Sequence, residues 1–175
     1  MIVSDKGGDF EKPTPGMHDA ICVAIYDLKY QVTKFGPKHT VRIAFEVDQR
    51  MTRGDYEGKR FVQSDQFTAS IHPKSRLGAL LEGWRGKSFT DAELARFDLD
   101  AIIGKPCQLN LIERDGYINI GNILPASAAG KSLQIEGDYT VIPEWIQKKI
   151  DEGFDGPDTE GVSQGLDPAS DDIPF

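Results

Sequence analysis

Asp19-Ala20-Ile21-Cys22-Val23-Ala24-Ile25-Tyr26-Asp27-Leu28-Lys29-Tyr30-Gln31-Val32 is the stretch that decides the architecture. Ile21, Val23 and Ile25 recur with a period of two, which puts them on one face of an extended strand. The phase then slips by one residue, and Leu28, Tyr30 and Val32 share the next face. A one-residue slip turns the whole apolar set over unless the strand holds a β-bulge, and a bulge bends it. The stretch therefore predicts one long, sharply curved strand.

Working outward, Thr33 to Lys38 reads as a turn around Gly36-Pro37, and Val41, Ile43, Phe45 and Val47 then alternate with polar or small residues as a second strand. Residues 48 to 58 form a polar loop, and 59 to 71 a less regular third strand. Leu77, Leu80, Leu81 and Trp84 have helical spacing. Thr90 to Glu93 carries a capping-box pattern for a second short helix, with Leu94 and Phe97 as its apolar face. Cys107, Leu109 and Leu111 mark a fourth strand, Arg114-Asp115-Gly116 a tight turn, and Tyr117 to Ile123 a fifth strand. Tyr139 to Ile142 is a candidate edge strand. Pro143 to Ile150 reads as a short helix docked by Trp145, Ile146 and Ile150. Three strands, a helix and two more strands, with a curved first strand, are the plan of the five-stranded OB-fold barrel. The expected class is mainly β: a flexible N-terminal arm over 1–16, an OB-fold domain over 17–152, and a disordered acidic tail over 153–175.

Charge sharpens this division. The net charge of the 175 residues is -8, which by itself argues against a nucleic-acid partner. Eight acids and no Lys or Arg lie in residues 151–175, so the remaining 20 acids balance the 20 bases of the body. Within the body, residues 29–87 hold 12 bases against six acids. Other chemistries find no support. Cys22 and Cys107 are far apart, and His18, His39 and His72 are scattered, which does not fit a zinc site. Buried reduced thiols are expected of the two cysteines, with a single disulfide as the alternative. Gly86-Lys87-Ser88 and Gly130-Lys131-Ser132 lack the upstream glycine of a phosphate loop, since Leu81 and Pro125 stand there. The sequence predicts a binding protein rather than an enzyme, with no cofactor and no metal. The N-terminus turns polar at once and no apolar run approaches the ~18 residues of a membrane span, so a cytosolic location is expected.

The chain closes on Ser170-Asp171-Asp172-Ile173-Pro174-Phe175. This resembles the C-terminal tip of bacterial single-stranded DNA-binding proteins, three Asp followed by Ile-Pro-Phe, with Ser170 in place of the first Asp. The resemblance implies that Asp171, Asp172, Ile173, Pro174 and Phe175 bind replication and repair proteins. Phe175 would fill an apolar pocket with its carboxylate on an Arg, Ile173 would add an anchor, Pro174 would limit the freedom lost, and the two Asp would steer toward basic surfaces. The body is more similar to phage-encoded single-stranded DNA-binding proteins. Lys74-Ser75-Arg76-Leu77, Phe97-Asp98-Leu99, Gly104-Lys105-Pro106-Cys107, Tyr117-Ile118-Asn119-Ile120 and Pro143-Glu144-Trp145-Ile146 carry that likeness, in that order. It implies a role in DNA replication, recombination or repair in the cytoplasm of a bacterial host.

Sequence-tolerant binding of a single strand needs a basic groove and aromatic faces. OB-folds use the face of strands 2 and 3 and the 1–2 and 4–5 loops. The candidate DNA-binding residues are Lys29, Tyr30, Lys34, Phe35, Lys38 and Arg42 on one side, with Tyr56, Lys59, Arg60 and Phe61 across from them. Phe35, on a loop tip, is the leading stacking candidate. Tyr30 stands open between platform and core, because the bulge decides its face. Phe45, Phe67 and Trp84 are expected in the core. The rival reading is a protein-interaction adaptor whose tail recruits replication proteins without binding DNA. A homo-oligomer is compatible with either.

Overall fold

A computed structural model describes residues 11–156 and Phe175. In chain order come strands β1 (Gly16–Thr33), β2 (Gly36–Arg50) and β3 (Arg60–Thr68), helices α1 (Arg76–Arg85) and α2 (Asp91–Ala95), and a 3-10 turn at Leu99–Ile102. Strands β4 (Pro106–Arg114) and β5 (Tyr117–Pro125), a 3-10 turn at Gly130–Ser132 and helix α3 (Glu144–Glu152) follow. The strands form one antiparallel sheet in the order β3-β2-β1-β4-β5.

β1 is bent twice, not once. Its register against β2 shifts between Cys22 and Ala24 and again between Asp27 and Tyr30, where Lys29 takes a left-handed φ of 59°. The second shift lies close to the slip that the apolar pattern predicts. The first one breaks up the expected Ile21-Val23-Ile25 face. Ile21 and Val23 pack in a cluster with Ala24, Tyr26, Leu28, Ala44 and Ile146, whereas Ile25 turns to the main core. Both faces of β1 are thereby buried.

The main core lies on the other face. Ala20, Cys22, Val41, Ile43, Phe45, Val47, Phe67, Leu109, Leu111 and Ile120 supply it from the sheet, and Leu77, Leu80, Leu81 and Trp84 from α1. Phe45, Phe67 and Trp84 are core residues as expected. Both cysteines are buried and free, and burial pushes the Cys22 thiol up to about 12.

The closed barrel does not form. β3 and β5 remain the sheet's two edges, and α1 lies across the gap between them. α1 starts where the Ser75 hydroxyl accepts from the Gly78 N–H at 3.0 Å and stops at Gly86, with φ 73°. A Cβ at Gly83 would meet the Ile123 carbonyl oxygen at 2.6 Å, so glycine lets the helix sit directly on β5. Side chains bridge the remaining opening: the Gln63 amide donates to the Ile118 carbonyl (3.1 Å), and Arg76 donates to the Ile120 carbonyl (3.1 Å) and to Asp65 (2.6 Å). The Thr90–Glu93 capping box forms as read.

Four other expectations change. Residues 11–15, assigned to a flexible arm, are tied down: the Glu11 carboxylate accepts from the backbone and hydroxyl of Thr52, Lys12 donates to the Gly116 carbonyl, and Thr14 bonds Gln49. Tyr139 to Ile142 adds no strand; it belongs to a strap laid over the sheet. Trp145 does not dock α3. Ile146 and Ile150 share the docking face, and Trp145, about 100° round the helix from Ile146, is exposed. Residues 153–156 are part of the fold, since Phe154 and Tyr30 exchange backbone hydrogen bonds of 2.9 and 3.1 Å. Residues 1–10 and 157–174, including Asp171, Asp172, Ile173 and Pro174, lie outside the described residues. Among those described, no helix is long and apolar enough to cross a membrane.

Candidate nucleic-acid interface

β2 has its last β3 partner at Thr40, and β1 its last β4 partner at Ile21. Residues 30–39 consequently form a two-stranded hairpin extending past the rest of the sheet. Its turn is tighter than the sequence suggests, with only Lys34 and Phe35 between the strands. The Thr33 hydroxyl accepts from the Phe35 N–H (3.1 Å) and donates to the Gly36 carbonyl (2.7 Å). Gly36 has φ 94°, a conformation that glycine adopts without strain. The clamp holds Phe35 at the tip with 77% of its surface exposed, and the Lys34 ammonium lies 5.1 Å from its ring centroid. Lys34 and Lys38 are exposed on either side.

At the hairpin's base, Tyr30 is half-buried and its ring already has neighbours. His39 stacks on it at 5.3 Å with planes 15° apart, and Phe154 lies tilted at 6.0 Å. His39 also bonds Asp27 at 2.8 Å. Burial raises the Asp27 pKa, but the Lys29 N–H and His39 outweigh it and leave it below the usual value. Lys29, the bulge residue, has a half-exposed side chain 4.0 Å from Asp155. Arg42 lies further along β2, where it donates to Ser64 (3.0 Å) and stacks 5.0 Å under the Trp145 ring. Trp145 is an exposed aromatic on a cation that sequence reasoning missed. The available signal was its helical phase, which places it off the Ile146–Ile150 face.

The second group divides. Tyr56 is exposed, with Lys59 5.6 Å from its ring. Phe61 is 5% exposed within the main core, so it offers no face to a base. Arg60 is not a free phosphate ligand either. Its side chain is buried, pairing with Glu46 (3.2 Å), Glu136 (3.4 Å) and Asp48 (3.9 Å) and donating to the Gln134 carbonyl (2.7 Å).

Glu46 organises this end. Fully buried on β2, it accepts from the Glu136 N–H (3.0 Å), the Gly137 N–H (2.8 Å) and the Tyr139 hydroxyl (2.7 Å) as well as from Arg60. These bonds fasten the strap to the sheet. Burial alone would raise the Glu46 pKa, but its donors outweigh that and hold it below its ordinary 4.5. Between strap and sheet runs a cleft of about 770 Å³, floored by Met51, Tyr56, Phe61 and Val62. Glu11, Glu46, Glu136 and Asp138 line it against Lys59 and Arg60. Hydrogen bonding by Arg50 holds the Glu136 carboxyl below its usual range, and the Thr140 N–H does so for Asp138, so both are ionised at neutral pH. That surplus of negative charge opposes phosphate.

The structure thus gathers Tyr30, Lys34, Phe35 and Lys38 on one hairpin, with Lys29 in the bulge at its base and Arg42 further along β2. It leaves Tyr56 and Lys59 beyond the opposite end of β2, about 40 Å along the strand for 12 residues. The hairpin can offer an aromatic face and exposed cations together, which suits stacking on a base and neutralising the adjoining phosphates. No protein-family model, no curated protein and no solved structure matches the chain.

Proposed function

We propose that this chain binds single-stranded DNA without sequence preference, in replication, recombination or repair, and that its acidic C-terminal tip recruits partner proteins. The sheet is read as an OB-type barrel opened between two strands. Joining edges β3 and β5 would give the ring β1-β2-β3-β5-β4, with α1 between the third and fourth strands. One observation carries the proposal. The β1–β2 hairpin extends past the sheet and ends in exposed Lys34, Phe35 and Lys38, at the loop such folds use for single strands. Arg42 under Trp145 continues that surface onto β2. The setting of the proposal is the cytoplasm of a bacterial host.

The test is fluorescence anisotropy with a labelled 30-mer, single-stranded against duplex, over a salt series. Tighter binding of the single strand is expected, with log affinity falling linearly against log salt at a slope of about -0.7 per phosphate neutralised. Salt-independent binding, or a preference for duplex, overturns it. The acidic cleft favours a second reading, an adaptor that binds protein alone. Complete absence of single-strand binding in the same titration would select that reading.

A further inference from the structure

Phe175, the last residue of the sequence, is set against the body of the protein. Its ring meets Trp84 of α1 edge-on at a centroid distance of 4.7 Å and lies tilted at 6.1 Å from Phe97, just past α2. It is partly buried against the main core. Phe45 packs on Trp84 at 5.7 Å, and Phe89 packs on Phe97 edge-on at 5.1 Å. Phe175 therefore completes a run of five aromatic rings, with Trp84 on one side and Phe97 on the other. Edge-to-face pairs of this kind contribute beyond the apolar area they bury. The indole N–H of Trp84 is already spent on the Pro106 carbonyl at 2.9 Å, so the niche asks for an apolar occupant.

We propose that the niche between α1 and α2 is a seat for a C-terminal phenylalanine, filled here by the chain's own Phe175. None of the hairpin residues Lys34, Phe35 or Lys38 belongs to it. What the seat withholds is Phe175 itself. The consequence, which rests on the recruitment reading above, is that a partner must draw Phe175 out of this seat before binding it.

The experiment needs neither DNA nor a partner, so its outcome is independent of that reading. The chain has two tryptophans, and Trp145→Phe leaves Trp84 as the only indole emitter. In that background, Phe175→Ala is expected to shift Trp84 emission to the red and to increase its quenching by acrylamide. A synthetic peptide of residues 170–175, added to the Phe175→Ala protein, should reverse both changes saturably. The same peptide ending in Ala should not, and neither should the native peptide act on a Phe97→Ala, Phe175→Ala protein. Unchanged emission and quenching on Phe175→Ala overturn the seat. An effect that disappears when the full-length Trp145→Phe protein is diluted overturns its filling by the same chain.

Discussion

Replacing Glu46 by Ala tests the latch between strap and sheet. The substitution removes the acceptor for two backbone N–H groups, the Tyr139 hydroxyl and one guanidinium N–H of Arg60. Breaking a buried ion pair by deleting one partner costs about 3–5 kcal/mol, and each stranded buried donor about 1–3 kcal/mol. These contributions do not simply add here, because Arg60 keeps Glu136 and Asp48 within 3.4 and 3.9 Å. The strap is also mostly exposed, so its freed N–H groups can find water. The low end, about 3 kcal/mol, is expected, which at an m-value of about 2 kcal/mol/M lowers the urea midpoint by about 1.5 M. Glu46→Gln keeps the shape and one acceptor oxygen and should lose about half as much. The pH dependence has a definite sign. The folded-state pKa of Glu46 lies below 4.5, so its contribution is complete above that pH and is lost as pH falls through the depressed folded value. The parent's midpoint should therefore fall more steeply below pH 4.5 than that of Glu46→Gln. A Glu46→Ala midpoint within about 0.3 M of the parent at pH 7 would refute the latch.

Phe35→Ala should weaken single-strand binding about five-fold or more, from the low end of the ~1–3 kcal/mol per stacked base, and leave the melting temperature unchanged; anisotropy and calorimetry read the two. Lys34→Gln with Lys38→Gln should make the salt slope shallower by about 1.4, and an unaltered slope removes the hairpin from the phosphate path. Phe61→Ala should cost about 3–5 kcal/mol in urea unfolding, as truncation of a core aromatic does, while DNA affinity measured on the folded fraction stays near the parent's. Trp145→Ala should lower DNA affinity with little loss of stability, because its ring packs on Arg42 and not in the core.

The period-two and helical patterns were enough to place five strands, two helices between the third and fourth, and the final helix, since each buries a face whose spacing is visible along the chain. The first β1 bulge was hidden, because Ile21 and Val23 read the same whether Ile25 follows on their face or turns over. Closure of the barrel was equally illegible. α1 lies across the gap between β3 and β5, and its close approach to β5 at Gly83 is a contact between backbones 40 residues apart. At the candidate site, the loop-tip position of Phe35 was readable because Gly36 and Pro37 announce a turn. The loss of Arg60 was not, as its partners Glu136 and Gln134 lie more than 70 residues away. Phe61 was readable in principle from its phase with Phe67.

Past Val23, β1 has β2 on one side and no β4 on the other, so a central strand continues as an edge. An uncovered edge of regular amides invites the same edge of another molecule. Here the row is broken by the bulge at Asp27–Tyr30, by the reversed φ of Lys29 and by the Phe154 bridge to Tyr30. The irregularities that shape the hairpin thus also deny an incoming strand a continuous register along this stretch of β1.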